Sequence, residues 1–468
     1  MRPRPLRLHR VTSKTVTSKT APSVHITTLG CSKNQVDSDK VSALLDGAGY
    51  RSAEHAEEAD VVMVNTCAFI EAARAESVET ILEVESVKAD NARLVVMGCM
   101  AQRYGTELEE ALEGVDAVVG LDRYGELVGV LDSITEWSPI RLGPRRSTMD
   151  ILDLSHRPTP AFPYAYVKVA EGCDKTCAFC AIPLIRGAQR SRRPLSIRQE
   201  IDQLVRAGVS EVVLVAQDLA AYGRDIGVET RETIVDLLRF VSDVEGLRRI
   251  RLLYLYPTEI RPALIAEMAK NPVLAPYFDL SLQHAARSLL RSMRRPGSTP
   301  SHLSLIGRIR DSAPEAALRS SFVVGYPGET DDDVGELSDF LRAADLDWAG
   351  FFPYSPESGT AAVGLPGRIA PDEVADRVRE LTRVQDRITA RRNAEQVGKR
   401  HMVLVDQVED EVPVGRSYRE APDIDGMICL DEGVPGEWLE AEITGSYETD
   451  LTARVCRPNG NGSGRSRM

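Results

Sequence analysis

The chain predicts an α/β protein in three parts: an amino-terminal parallel-sheet α/β domain, a central partial (β/α)6 barrel, and a small antiparallel β-barrel at the carboxyl end. Three observations predict it. Strand-like apolar runs alternate with helical patterns through residues 24–137, the alternation restarts over 164–396, and from about Met402 it gives way to short alternating strands. At 468 residues there is room for about three domains of ~150 residues.

Composition bounds the class. With 43% hydrophobic and 27% charged residues the chain reads as an ordinary globular protein. No apolar run approaches the roughly 18 residues of a membrane span, and no secretory signal opens the chain, so it is read as soluble and cytoplasmic with no membrane partner. The formal net charge of −13 argues against a general nucleic-acid coat and favours a basic partner. Eight cysteines suit a reducing compartment, where they stay as thiolates or bind metal.

Residues 1–23 carry Arg2, Arg4, Arg7, Arg10, Lys14 and Lys19 with no acid, and read as a disordered basic extension, an organelle transit peptide being the alternative. Strands are expected at 25–29, 60–64, 93–97 and 116–120, with helices at 36–45, 68–87 and 101–112. Cys31, Cys67 and Cys99 each follow the carboxyl end of a different strand, so a parallel sheet gathers them on one edge. One such cysteine alone is an ordinary small apolar residue. Core packing gives no reason for three to repeat the register.

Residues 138–163, rich in Pro, Ser and Arg, read as a linker. Beyond it, strands are expected at 164–170, 211–216, 249–254, 278–282, 318–324 and 348–352, and helices at 197–207, 231–244, 262–270, 301–312 and 332–344. Six strand–helix units suggest a full or partial barrel whose working end is the carboxyl rim. On that rim fall Cys173, Cys177 and Cys180, then Gln217, His284 and Gly325. Three thiols spaced C-x3-C-x2-C close on one centre and leave it a ligand short of the four of a structural zinc site, which points to a cluster with one open iron. Gln217 and Gly325 are read as cofactor-lining, with a plain turn as the other reading of 325–329.

A charged helical segment at 371–397 connects to the last part, residues 397–456, with strands expected at 402–408, 426–430, 438–446 and 451–455. Residues 397–455 hold five Lys or Arg against fourteen Asp or Glu, a net of −9. Phosphate binding needs cations, so this barrel is read as a weak or absent RNA binder and a dock for a basic protein. Cys429 and Cys456 are read as unligated, and 457–468 as a disordered tail.

Cys173-x3-Cys177-x2-Cys180, with Phe179 before the last cysteine, resembles the radical S-adenosylmethionine (SAM) signature. Joined to an upstream cysteine triplet and a carboxyl-terminal β-barrel, it is similar to the methylthiotransferases over roughly residues 24–456. The stretch Leu29-Gly30-Cys31-Ser32-Lys33-Asn34-Gln35-Val36-Asp37-Ser38 resembles the branch acting on small-subunit ribosomal protein uS12, whereas tRNA-modifying relatives carry Gln-Met-Asn after that cysteine. Gly415-Arg416-Ser417 and 421–426 resemble the same branch, with Asp39 and Asp423 standing where Glu is expected and Glu420 where Asp is.

The resemblance implies a radical-SAM barrel and a TRAM-like terminal barrel. It implies two [4Fe–4S] clusters, one on Cys173, Cys177 and Cys180 whose open iron takes SAM, the other on Cys31, Cys67 and Cys99. Reductive cleavage of SAM to a 5′-deoxyadenosyl radical would lead to methylthiolation of the β-carbon of an aspartate in uS12, drawing on an electron donor and a sulfur donor. Phe179 would pack beside the adenine or fill space behind the loop. The alternatives are a tRNA (adenosine) methylthiotransferase, which a basic terminal barrel would favour, and a non-enzymatic iron–sulfur or zinc scaffold.

Overall fold

A computed structural model describes residues 21–133, 140–142, 151–154, 156–226 and 233–457. Outside the described residues lie 1–20 of the predicted extension, much of the predicted linker, the first two residues of the helix expected at 231–244, and 458–468 of the predicted tail.

The amino-terminal sheet is parallel throughout. Its strands are β1 (Ser23–Thr28), β2 (Arg51–Ser52), β3 (Val61–Thr66), β4 (Arg93–Gly98), β5 (Ala117–Val119) and β6 (Ile140–Leu142), in the order β2-β1-β3-β4-β5-β6. Both faces are covered, which is why β3 and β4 are almost wholly apolar. Val62, Val64, Leu94 and Val96 pack with Ile81, Val84 and Leu108 on one side. Val61, Met63, Val95 and Met97 pack with Val41, Leu45 and Leu127 on the other. The sequence shows four of these six strands. β2 has two residues and β6 three, too short for an alternation to register, and β6 corrects the reading of 138–163 as linker throughout.

The central part runs through β7 (Tyr164–Lys168), β8 (Ala170–Glu171), β9 (Arg190–Ser191), β10 (Glu211–Val215), β11 (Arg249–Leu252), β12 (Tyr277–Gln283), β13 (Ala317–Val324) and β14 (Trp348–Pro353). β8 and β9 form a short antiparallel pair; the other six lie parallel as β7-β10-β11 and β12-β13-β14. These two halves join where the Leu255 N–H donates to Asp279 O at 2.9 Å and the Ser281 N–H to Leu255 O at 3.0 Å. The run therefore starts at β7 and ends at β14 as a partial barrel. Capping boxes at Thr233 and Thr330 set the starts of the helices Ile234–Ser242 and Asp331–Ala344. The connector helix Pro371–Ala394 packs along β14.

The terminal barrel is closed by five strands, β15 (Arg400–Glu409), β16 (Val412–Arg416), β17 (Ile428–Leu430), β18 (Trp438–Tyr447) and β19 (Asp450–Val455). β16 is absent from the sequence reading, and the parallel pairing of β17 with β19 corrects the wholly antiparallel expectation.

The loop between β16 and β17 enters the amino end of the central barrel. Arg251 donates to Tyr418 O at 2.7 Å, the Trp348 indole to Arg419 O at 2.9 Å, and the Tyr277 hydroxyl to Asp425 at 2.6 Å. Fully buried Glu211 pairs there with Arg251 at 3.0 Å, Arg416 at 3.2 Å and Arg249 at 3.3 Å. One end of the barrel is thus plugged, which leaves the carboxyl rim as the open end. No described helix is long and apolar enough to cross a membrane.

Candidate functional site

The upstream cysteines sit on three loops tied to one another by buried amides and hydroxyls. Asn34 donates to Leu29 O at 2.8 Å and to Thr66 O at 3.1 Å, which binds the Cys31 loop to the Cys67 loop. Asn65 donates to Asn34 O and Ser38 at 2.9 Å each, and Thr66 to Met97 O at 2.6 Å, which brings in the Cys99 loop. Gly30 has φ +90°, and a Cβ there would stand 2.8 Å from Cys67 Cβ and 3.0 Å from its sulfur. The close approach of the two loops therefore requires glycine.

Charge treats the three thiols differently. Burial pushes the Cys31 thiol up, but Lys33 and Arg186 outweigh it and the net shift is downward. Burial pushes Cys67 up, and Cys99 up to about 12. The three act on one another electrostatically, so they face a common space.

The second triplet lies on the loop after β8. The Cys173 N–H donates to Gly187 O at 3.0 Å and the Ala178 N–H to Met293 O at 2.9 Å, which fixes the loop against the barrel rim. Arg295 approaches the Cys177 sulfur at 3.6 Å and lies over the Tyr256 ring at 4.0 Å. Burial pushes Cys180 up to about 12, with Cys177 and Cys173 adding to the shift.

Arg186, at the end of the short helix Ile182–Arg186 that follows Cys180, reaches the upstream triplet. It donates to the Cys99 sulfur at 3.2 Å, to Asn34 at 2.7 Å, to Glu171 at 2.9 Å and to Asp37 at 3.2 Å. Lys168 reaches Glu171 at 2.7 Å and also pairs with Asp37. Two cations thus face two carboxylates, all of them buried. Burial pushes the Glu171 carboxyl up, yet Arg186 and Lys168 hold it well below the usual carboxylate range.

All six cysteines are free thiols, and none of the eight is in a disulfide. Among the described residues no three His, Cys, Asp or Glu groups are placed to hold a single metal ion. Each triplet offers three thiolates, one short of the closed set of a structural zinc site, a count that fits a four-iron cube with one iron left to another ligand.

The other predicted site residues divide. Gln217 donates to Glu171 at 2.9 Å and keeps its carbonyl oxygen buried without a hydrogen-bond partner. Phe179, partly buried, packs against the cluster of Ala178, Ala286, Leu289 and Met293. Gly325 is covered: its N–H goes to Glu329 at 3.0 Å, and a Cβ at its φ of +79° would meet Val374 of the connector helix at 2.4 Å. Packing against Val374 at this φ requires glycine there. His284 is fully buried and accepts from the Ala286 N–H at 3.0 Å; burial takes its pKa down to about 4, so it is neutral.

Sequence reasoning gave no site role to Arg186, Lys168, Glu171, Asp37 and Lys33, and it set Asp218 on the rim beside Gln217 without one. The one local signal was Lys33–Asp37 at helical spacing. Asp218, 1% exposed, has no hydrogen bond to either carboxylate oxygen and meets Lys175 at 3.4 Å, beside Cys173.

Residues 23–120 match the uncharacterized protein family UPF0004, 167–341 the radical SAM superfamily, and 397–456 the TRAM domain. The radical S-adenosylmethionine methyltransferase TsrM from Kitasatospora setae, solved with cobalamin and a [4Fe-4S] cluster, shares the fold with a TM-score of 0.51 at 15% identity over 73% of this chain and 74% of its own. Barrel, signature and rim together define a radical SAM enzyme with an appended TRAM barrel. Among its relatives are proteins named ribosomal protein uS12 methylthiotransferase RimO. That of Streptomyces griseus subsp. griseus is 40% identical over 92% of this chain and 97% of its own length, and that of Cutibacterium acnes 39% identical over 92% and 98%. The chain belongs to this RimO family of methylthiotransferases.

Proposed function

We propose that the protein transfers a methylthio group to the β-carbon of an aspartate in ribosomal protein uS12, working in the cytoplasm with two [4Fe–4S] clusters and SAM. The observation that carries this reading is Arg186, which contacts Cys99 directly, pairs with Glu171 two residues before Cys173 and follows Cys180 by one short helix.

Cys173, Cys177 and Cys180 would hold the cluster that takes SAM, and Cys31, Cys67 and Cys99 the second. The bound groups supply one-electron cleavage of SAM and a sulfur for transfer. This chain's residues do the rest. Each triplet of thiolates leaves one position open. Gln217 and Asp218 offer buried, underused polar atoms beside Cys173, a fit for the amino-acid end of SAM. Phe179 walls the loop from behind, and the plugged amino end of the barrel keeps solvent out of the interior.

For the substrate, the acidic surface of the terminal barrel favours a basic protein over RNA. Asp406, Glu420 and Asp425 are taken up inside, while Glu409, Asp410, Glu411, Glu440 and Glu442 remain exposed. The electron and sulfur donors are separate partners in this reading.

The test is reconstitution under anaerobic conditions with iron, sulfide, SAM, a reductant and uS12. The wild type should cleave SAM and add a methylthio group to uS12. Cys173→Ala should lose both steps, and Cys67→Ala should lose transfer while still cleaving SAM. Transfer by Cys67→Ala would overturn the second-cluster assignment.

A further inference from the structure

Lys33 sits in the first turn of the helix Ser32–Gly47, two residues after Cys31, and is only 8% exposed. Its ammonium rests on the Tyr254 ring, 3.5 Å from the centroid. Tyr254 follows β11 at the carboxyl end of the central barrel, with φ +63° and its N–H held by Asp279 at 2.9 Å. Lys33 therefore spans the gap between the edge carrying the upstream cysteines and the rim carrying the downstream ones.

A buried cation is ordinarily matched by a carboxylate, because removing it from water costs several kcal/mol. Among the described residues, Lys33 has none. Lys40 pairs with Glu200 at 2.7 Å, and Lys168 and Arg186 share Asp37 and Glu171. Burial works against the Lys33 charge, the neutral Tyr254 phenol and the Cys31 sulfur favour it, and Arg186 opposes it. The sulfur of Cys31 is committed to the cluster in the proposed function and shares its charge with iron. The ion-pair network beside Lys33 is balanced, two against two, and has no spare carboxylate to lend it.

We propose that Lys33 is the carboxylate-binding residue of the substrate site, pairing with the side chain of the aspartate presented between the two cysteine triplets. This rests on the uS12 reading and adds to it how the enzyme tells aspartate from its neutral isostere. The aromatic face of Tyr254 holds the ammonium in place without neutralising it, so the cation is pre-set for an incoming anion. Binding the carboxylate also orients the adjacent β-carbon.

The test uses the reconstituted full-length enzyme with uS12. The modified aspartate is located by mass spectrometry of the wild-type product and replaced by asparagine, and the KM of each form is measured, by turnover or by inhibition, with wild type, Lys33→Met and Lys33→Arg. One charge-assisted hydrogen bond corresponds to about 10- to 100-fold in affinity. The wild type and Lys33→Arg should favour the aspartate form by about that factor, and Lys33→Met should bind both forms alike. Iron content and the cluster absorbance control for folding; if Lys33→Met loses iron, Lys33→Gln carries the same comparison. Discrimination by the charge-free variant equal to that of wild type would overturn the role of Lys33 alone. A wild type that leaves uS12 unmodified would overturn the proposed function beneath it.

Discussion

Arg186 is the residue on which the charge balance between the two triplets turns. Its fork touches Cys99, Asn34, Asp37 and Glu171 at once, and no other cation among the described residues reaches Cys99. Removing one partner of a buried network leaves the others uncompensated, which costs about 3–5 kcal/mol. Arg186→Met is therefore expected to lower the midpoint of chemical denaturation clearly, with Arg186→Lys recovering part of the loss. Gly30 makes a different kind of demand. The Gly30→Ala side chain would collide with Cys67, so anaerobic reconstitution should load about half the iron of wild type, one four-iron cluster in place of two. The six cysteines were legible because their spacing and their places at strand ends are written locally. Arg186 was not, since its partners Asp37 and Cys99 are 149 and 87 positions away in sequence.

Among the elements, the β16–β17 loop shows most plainly what a local pattern hides. The sequence reads 415–426 as part of a barrel, and its buried carbonyls instead receive Arg249, Arg251 and Trp348 of the central strands. β16 itself was missed because Pro413 and Gly415 break the strand pattern within five residues. Glu211 anchors the loop through Arg416. Burial pushes the Glu211 carboxyl up, but Arg416, Arg251 and Arg249 bring it down to about 2 from an ordinary 4.5. A depressed carboxylate contributes stability that is fully present above its unfolded value and is lost as pH falls through its folded value. Stability should accordingly decline between about pH 4.5 and 2 on account of this group. Glu211→Gln should be less stable than wild type at pH 7 and show a shallower decline toward pH 3, as read by urea denaturation at both pH values.

At the scale of the whole molecule, two open edges meet. The carboxyl edge of the amino-terminal sheet faces the carboxyl rim of the central barrel, clamped by Glu357, which takes Arg74 at 2.5 Å and Arg103 at 2.7 Å. The sequence made each part legible, since strand–helix alternation and its end are local signals. It was silent on their mutual placement, which rests on long-range ion pairs and on the loop that plugs the barrel. The terminal barrel then presents its remaining acids outward. Replacing Glu409, Glu411, Glu440 and Glu442 with lysine should raise the KM for uS12, lessen its dependence on salt and leave SAM cleavage intact. An unchanged KM would remove the barrel from substrate docking.

The central claim is that uS12 receives the methylthio group. Mass spectrometry of uS12 and bulk tRNA, from cells with and without this protein, tests it most directly. The account predicts that uS12 loses its methylthio group while tRNA keeps its own; loss from tRNA with uS12 unchanged would contradict it.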